Sequence, residues 1–448
     1  MRQRPVLTAA LLTLLILAST SLWKFNAVVI AAQTYVFGYP LVIMDLTRAQ
    51  SEQTLAPVNT LRRVRQFPDA SFKTVVRPNV DTLYSTAFLD LREGPVVFEM
   101  PPNPDRYEVM PIMDAWTNVF ATLGTRTSGT QGGRYLIAGP GWQGTVPPGM
   151  QLLTSPTQMA WLIGRTQTQG PADYPLVHRL QDGLQLHPLN ADTPTAPSKV
   201  SAEATEVSPV AQIQRMGTHE FFQRLAQLMP ANPPSAADAP QVQAMAKIGI
   251  MSGQNVAWTW HDTWAAAVGR RLAEFKIKQA LKKPMNGVNG WSTPPLILGQ
   301  YGTDYGIRAV VAQVGLGANL PQDAIYPSAQ VDHQGEALHG RHRYRVHFAS
   351  GQWPPVKAFW SITAYGADNF LIDNPAQRFA VGSLSPLVRN ADGSLDLLIQ
   401  AQPVEGPMQA NWLPVAADAP FLLNARLYWP TEPILNGSWQ LPAIERLP

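Results

Sequence analysis

The stretch VRPNVDTLYSTAFLDL, residues 76–91, changes character half-way along. Its second half is rich in β-branched, aromatic and aliphatic residues, which predicts a strand. Arg77, Asn79, Asp81 and Tyr84 lie at the mouth of that strand. Because Pro78 disfavours the helical conformation for the residue before it, we expect Arg77 to be extended. The polar groups form either a hydrogen-bonded turn or one wall of a cleft.

The pattern around this stretch predicts a mainly β chain with a helical middle. Short apolar runs separated by Pro and Gly cover residues 72–189 and return from about residue 344, which favours antiparallel sandwiches. Between them, residues 209–230 and 257–284 carry apolar side chains at helical spacing and end at Pro230 and Pro284. The 448-residue chain is long enough for two or three domains.

The predicted boundaries follow these changes of pattern. Residues 1–24 form an export segment, residues 25–60 a helix and lead-in, and residues 61–200 the first β-domain. Residues 201–300 form the helical region, entered through a Pro-, Thr- and Ser-rich linker, and residues 301–448 form the second β-domain.

The N-terminus has the order of a secretory segment. Arg2 and Arg4 precede the apolar run PVLTAALLTLLILASTSLW, and the basic side is expected to stay in the cytoplasm. A cleaved signal peptide and a retained membrane anchor fit equally well, since residues 18–20 only loosely resemble a cleavage site. We expect the chain to be exported, and to be periplasmic or anchored in the inner membrane facing the periplasm.

Composition and motifs exclude several classes of function. The formal net charge is only +3 and no long Lys and Arg run is present, so nucleic acid is not an expected partner. The absence of cysteine excludes thiolate catalysis and cysteine-ligated metals. The sequence GPGWQG, residues 139–144, has dinucleotide-loop spacing, but TVPPGM follows it where a helix would have to begin. No cofactor and no metal site are predicted, and a homo-oligomer is left open.

A second group of polar residues lies in MDAWTNVFATLGTRT, which contains Asp114, Asn118 and Arg126. Asp81 and Asp114 are the candidate catalytic carboxylates, either of which could act as a base, while Arg77 or Arg126 could hold an anion. The structural alternative is that Asn and Asp cap turns and that the arginines bridge loops.

These segments resemble two known domains. VRPNVDTLYSTAFLDL, MDAWTNVFATLGTRTSG and YLIAGPGW resemble the bacterial domain of unknown function 1254. PPVKAFWSITAY, FLIDNPAQRFAVG and RLYWPTEPILNGSWQLPAIER resemble its usual partner, the domain of unknown function 1214. The resemblance implies an immunoglobulin-like β-sandwich, then helices, then a jelly-roll-like β-sandwich. It brings no agreed catalytic residues.

Polar and aromatic residues at the motif positions suggest a ligand site shared by the two β-domains. The candidate ligand-binding residues are Arg77, Asn79, Tyr84, Asn118, Arg126, Trp360, Tyr365, Asp373 and Arg378. The leading hypothesis is an exported protein that binds or processes a small polar or amphipathic molecule in a pocket lined by both domains. If it is an enzyme, a cofactor-independent hydrolase or lyase is expected. The alternative is a non-enzymatic envelope scaffold or a membrane-associated oligomer.

Overall fold

The computed structural model describes residues 4–73, 75–190, 207–282 and 287–448, with side chains described outside residues 4–24 and 282. Most of the predicted linker therefore lies outside the described residues. Within them, the chain combines several β-sheets with a helical middle, as the sequence pattern predicts.

Helix α1 (Arg4–Thr54) is continuous and passes through Pro40. From residue 27 onward it is largely buried, on every side between residues 37 and 46, and Phe37, Leu41 and Val42 are fully enclosed. Among the described residues, the segment Phe25–Thr54 is long and apolar enough to cross a membrane, yet 72% of its most apolar window is buried inside the protein. That burial is the pattern of a core helix.

The first β-domain contains two sheets. Its elements are β1 (Arg62–Arg63), β2 (Thr82–Asp90), β3 (Val96–Met100), β4 (Glu108–Asp114), β5 (Val119–Gly124), β6 (Gly133–Ala138), β7 (Met150–Thr154), β8 (Met159–Gln167), α2 (Tyr174–Gly183) and β9 (Gln185–Pro188). One sheet has the order β1-β2-β8-β4-β5 and is antiparallel throughout. The other has the order β7-β6-β3-β9, in which only β6 and β7 run parallel.

The two sheets bury one shared core. Leu89 and Ile112 of the first sheet pack in the same cluster as Phe98 and Ile137 of the second. The residues of β4 are buried along its whole length because the opposite face of its sheet is also covered, in part by the helical region. The strand predicted from residues 82–91 is β2, which is paired on both sides, with β1 and with β8.

The helical middle packs around α1. It consists of α3 (Pro209–Arg215), α4 (Thr218–Leu228), α5 (Ala239–Ala246), α6 (Trp260–Lys282) and α7 (Tyr305–Val314). The helix predicted over residues 209–230 is broken at Gly217, whose amide donates to the Glu220 carboxylate at 3.2 Å and so begins a new helix. Tyr35 of α1 packs on Phe221 and Phe222 of α4, which joins the helices in one aromatic core.

The second β-domain also contains two sheets. Its elements are β10 (Ala324–Ile325), β11 (Ser328–Ala329), β12 (Arg343–Phe348), β13 (Trp360–Gly366), β14 (Ala380–Gly382), β15 (Leu395–Gln400), β16 (Trp412–Pro414), β17 (Phe421–Tyr428), α8 (Glu432–Leu435) and β18 (Ile444–Leu447). One sheet has the order β10-β17-β13-β14, with β11 also paired to β17, and the other has the order β16-β15-β12-β18. Their inner faces share one hydrophobic cluster. The immunoglobulin-like and jelly-roll-like topologies stay predictions.

Gly269 provides a test of the contact between α1 and α6. A Cβ at this position would lie 2.6 Å from the carbonyl oxygen of Val28 and 2.9 Å from the backbone nitrogen of Ala32. We expect Gly269→Ala to lower the free energy of unfolding by about 1–3 kcal/mol, since the two helix backbones must separate. Gly306→Ala is the matched control, because its Cβ would meet only Asp304 Oδ1 at 3.6 Å.

In Gly306→Ala the gain in helix propensity is expected to stabilise the protein by up to about 1 kcal/mol. Denaturant unfolding of both variants measures the difference. Equal, small effects of the two substitutions would show that α1 and α6 are not in close backbone contact.

Candidate functional site

A seam of polar side chains joins the two β-domains. We define the seam by Pro78 and Asp81 of the first domain and by Ser361, Thr363, Tyr365 and Arg426 of the second. The Arg426 guanidinium donates to Thr363 Oγ1 at 2.7 Å, to the Tyr365 hydroxyl at 2.5 Å and to the Pro78 carbonyl at 3.3 Å. The Tyr365 hydroxyl in turn donates to the Pro78 carbonyl at 2.7 Å. One buried cation thus ties strand β17 to the segment that precedes β2.

Asp81 faces the same seam. Its Oδ2 accepts a hydrogen bond from Ser361 Oγ at 2.7 Å and lies 4.0 Å from Arg426 Nε. Burial raises the pKa of Asp81, and the nearby Arg426 charge and the Ser361 hydrogen bond oppose that shift without cancelling it. The carboxylate is therefore held inside the junction between the domains, where its charge is costly.

The mouth of strand β2 is fixed by Asn79. Asn79 Oδ1 accepts from the amides of Asp81 at 2.7 Å and Thr82 at 3.1 Å, which is the turn chemistry that an Asn before a strand provides. Its Nδ2 donates to the Tyr428 hydroxyl at 2.9 Å, across the seam. The same amide therefore shapes the turn and docks it on β17.

A second buried arginine lies beside the seam on β8. Arg165 donates to Asn319 Oδ1 at 2.6 Å, to the Gly317 carbonyl at 2.7 Å and, at 3.4 Å, to the Tyr84 hydroxyl. Asn319 Nδ2 donates to the Tyr326 hydroxyl at 2.6 Å. Around Arg165, the described residues supply hydroxyls, an amide and carbonyls, and no carboxylate pairs with it.

These groups form what we call the arginine–tyrosine cluster. Its members are Asn79, Asp81, Tyr84, Arg165, Tyr326, Arg426 and Tyr428. Arg165, Arg426, Asp81 and Tyr428 are buried, whereas Asn79, Tyr84 and Tyr326 keep partial exposure. Two guanidinium groups thus share the cluster with one carboxylate, and the partly exposed members give it contact with solvent.

Among the tyrosines of the cluster, Tyr84 has its pKa lowered by the two arginines. Burial raises the pKa of this tyrosine, but the charges of Arg165 and Arg426 and the hydrogen bond from Arg165 outweigh burial and lower it below the ordinary value. At Tyr326 burial dominates and raises the pKa to about 12. The cluster therefore favours negative charge at the Tyr84 hydroxyl.

Asp114 is not part of this cluster. Its Oδ1 accepts from the amides of Trp116 at 2.8 Å and Asn118 at 2.9 Å, and its Oδ2 from Asn118 Nδ2 at 3.2 Å, so both predicted residues close one turn. Asp114 pairs with Ala160 of β8, whereas the Asp81 carbonyl accepts from Thr168 at the other end of that strand. Ala160 and Thr168 are eight residues apart on an extended strand, a distance of roughly 25 Å. The carboxylates of Asp114 and Asp81 therefore share no site.

The two candidate anion-binding arginines bridge the domains. Arg77 Nε donates to Asn369 Oδ1 at 3.0 Å, and its φ is 50°, so the expectation of an extended conformation is wrong. Pro78 excludes the right-handed helical region, and the chain uses the left-handed one instead. Arg126 forms a bidentate pair with the buried Asp323, at 2.6 and 3.0 Å. Both arginines are therefore engaged in contacts between the β-domains.

The candidates on the second β-domain lie at different places. Tyr365 belongs to the seam, whereas Trp360 packs against Phe348 in the domain core with ring centroids 5.2 Å apart. Asp373 is exposed. Arg378 donates to the carbonyls of Gln409 at 2.6 Å and Trp412 at 3.1 Å, beside an open cleft of about 340 Å³ on the surface. The structure does not bring Trp360, Asp373 and Arg378 to the cluster.

Sequence reasoning missed Arg165 and Arg426. Both stand inside mostly apolar strands, in MAWLIGRTQ and FLLNARLY. An arginine is almost never fully buried unless it is paired, so a charge in the middle of a strand that reads as core is itself a signal. That signal could have pointed to both residues. The missed Tyr326 and Tyr428 carry no comparable signal.

Comparison with models of protein families gives a match for each β-domain. Residues 58–188 match the family described as Protein of unknown function (DUF1254), and residues 323–432 match Protein of unknown function (DUF1214). The recognition from sequence motifs is confirmed: the chain pairs the domain of unknown function 1254 with the domain of unknown function 1214, in that order. No curated protein matches the chain.

Solved structures resemble most of the chain. The VPA0106 protein from Vibrio parahaemolyticus is 22% identical, with a TM-score of 0.71 over 94% of this chain and 100% of its own. This likeness shows a shared fold. An uncharacterized protein from Burkholderia cenocepacia is 13% identical, with a TM-score of 0.45 over 93% of this chain and 88% of its own.

The pKa of Asp114 gives a test of its structural role. Burial raises that pKa from 3.8 to about 6, against the hydrogen bonds from Asn118 and Trp116. Because the folded state then binds the proton more tightly than the unfolded state, the free energy of unfolding contributed by Asp114 falls as pH rises from about 4 to about 6. The shift corresponds to roughly 2–3 kcal/mol.

Asp114→Asn removes this titration while it keeps an oxygen acceptor for the turn amides. We expect the difference in free energy of unfolding between parent and variant to change by roughly 2–3 kcal/mol between pH 4 and pH 7. Denaturant unfolding at several pH values measures it. The control is Asp373→Asn, where the carboxylate stays in water. A difference that is flat across this pH range would contradict the assignment.

Proposed function

We propose that the chain binds a small molecule with an anionic group at the arginine–tyrosine cluster between its two β-domains. The observation that carries the proposal is a charge imbalance among the described residues of the cluster: Arg165 and Arg426 are both buried, and the one carboxylate, Asp81, lies 4.0 Å from Arg426 Nε. A bound carboxylate or phosphate would compensate the second guanidinium. A pocket lined by both domains and an amphipathic ligand are the finer parts of this proposal.

Physical chemistry supports an anionic ligand. A buried charge that is not paired costs free energy, and the hydrogen bonds of Arg165 to neutral acceptors offset only part of that cost. The donors of Arg165 and Arg426 are bonded to protein acceptors, so an anion at the cluster would be attracted by their charge and would take its hydrogen bonds from the partly exposed groups around them. The tyrosine hydroxyls nearby add donors without adding negative charge.

Acid–base chemistry at the same place is the enzymatic form of the proposal. The lowered pKa of Tyr84 makes its hydroxyl the cluster member best suited to exchange a proton with a bound molecule. Such a reaction would be a cofactor-independent hydrolysis or elimination. We therefore assign the role of the base to Tyr84 and no longer to Asp114. Asp114 lies at the far end of β8 and closes its own turn.

We also propose that the protein is exported and works in the periplasm, free or anchored in the inner membrane. The support is the order of charges and apolar residues at the N-terminus. The scaffold alternative is supported by the contacts of Arg426 and Tyr365 with the Pro78 carbonyl, which would join the domains in the absence of a ligand.

The direct test measures the melting midpoint of the full chain in detergent. Acetate, succinate, benzoate and phosphate are compared with chloride at equal ionic strength. A ligand that binds only the folded state raises the midpoint, and the rise grows with the logarithm of its concentration above the dissociation constant, so at least one of these anions is expected to do so. Calorimetric titration with that anion then gives its affinity.

Tyr84→Phe keeps the ring and removes the hydroxyl. We expect it to lower the affinity for the anion about tenfold, as for the loss of one charge-assisted hydrogen bond. Tyr174→Phe is the matched control: that tyrosine is also partly exposed, and its hydroxyl accepts only from the Phe67 amide at 2.8 Å. If no anion raises the midpoint and both variants behave alike, the cluster is a structural joint and the scaffold alternative stands.

A further inference from the structure

Helix α6 has apolar residues on two opposite sides. Ala265, Gly269 and Ala273 face α1 and are buried. Trp260 and Trp264 point the other way and are 72% and 53% exposed. Two exposed tryptophans one helical turn apart are unusual, because tryptophan is among the most buried side chains on average. Exposed aromatic surface of this kind is typical of a site that contacts a partner or a membrane.

The exposed tryptophans lie at the level where burial of the described part of α1 begins, between residues 26 and 27. Helix α6 runs in the same direction as α1: Ala27 packs in one cluster with Ala265, Gly269 approaches Val28 and Ala32, and the Tyr35 hydroxyl donates to Glu274 at 3.2 Å. The first turns of α6 are therefore beside residues 25–27. Phe25, at the same level, is 71% exposed.

Below this level α1 continues as a helix to Arg4. Between Arg4 and Lys24 lie 19 uncharged residues, mostly apolar with several Ser and Thr, and about 1.5 Å per residue gives roughly 28 Å. That length matches the hydrocarbon thickness of a bilayer, about 30 Å. Arg2 and Arg4 at the far end agree with a cytoplasmic N-terminus.

We propose that Phe25, Trp260 and Trp264 form an aromatic belt that rests in the outer interface of the inner membrane. Tryptophan prefers the boundary between hydrocarbon and water, because its ring is apolar and its N–H needs a polar partner. The belt fixes the height of the body above the bilayer. Helix α6 then stands upright along α1. This inference rests on the proposed export with the N-terminal helix retained, and it is independent of the anion site.

The chain contains no cysteine, so a single introduced cysteine can be labelled selectively. Thr263→Cys places a fluorophore between the two tryptophans, at an exposed position. Lys278→Cys is the matched control, exposed on the same helix and about 22 Å further from the belt. The full chain is reconstituted into vesicles of phosphatidylethanolamine and phosphatidylglycerol that carry nitroxide lipids quenching at headgroup depth.

We expect the lipid nitroxide to quench the label on Thr263→Cys several-fold more than the label on Lys278→Cys. Adding Trp260→Ser and Trp264→Ser to the first variant is expected to reduce that quenching. Equal quenching at the two positions, or none at Thr263→Cys, would overturn the proposal. Energy transfer between labels on different copies without lipid quenching would overturn it in favour of a second copy.

The mass of the expressed protein shows whether the N-terminal segment has been cleaved. Retention of residues 1–24 supports the belt, and their removal overturns it. The anion-dependent melting midpoint is measured on the same preparation. If the expected lipid quenching is absent but an anion still raises the midpoint, only the membrane contact is refuted. If the quenching is present but no anion raises the midpoint, only the proposed ligand is refuted.

Discussion

The buried guanidinium of Arg426 constrains the whole junction between the two β-domains. An arginine does not lose its proton in a protein, so its donors must be satisfied wherever it is buried. Here they are satisfied by Thr363 and Tyr365 of its own sheet and by backbone carbonyls of Arg77 and Pro78 from the other domain. Neither domain alone completes the set. The relative position of the domains follows from this requirement.

The same requirement explains the unusual local structure before β2. Arg77 has a positive φ, which costs free energy for a residue other than glycine and persists only where surrounding contacts impose it. Its amide donates to the Asn369 carbonyl at 2.8 Å, and its side chain donates to the same asparagine. With Asn79 on Tyr428, these contacts hold the chain so that Asp81 and Tyr84 face the buried arginines. The residues that join the two domains are therefore also the residues that form the candidate site.

Away from the seam, helix α1 organises the rest of the molecule. Its buried face collects the helical region, and its packing against Trp116 connects that region to the first β-domain. The helix continues towards its N-terminus as a mostly apolar segment, so the core and the proposed membrane contact share one continuous element. A change in the packing of α1 is therefore transmitted to both.

The sequence by itself determined the two β-domains, their order and the helical middle, because alternation, helical spacing and turn residues act over short distances. It also marked Asn79, Asp81 and Tyr84 as unusual. It could not decide which polar residues meet. Asp114 and Asn118 closed their own turn, Trp360 joined a core, and Arg165 and Arg426 came together from strands 261 residues apart. Only tertiary packing decided this, because a buried charge takes its partners from whatever part of the chain the fold brings beside it.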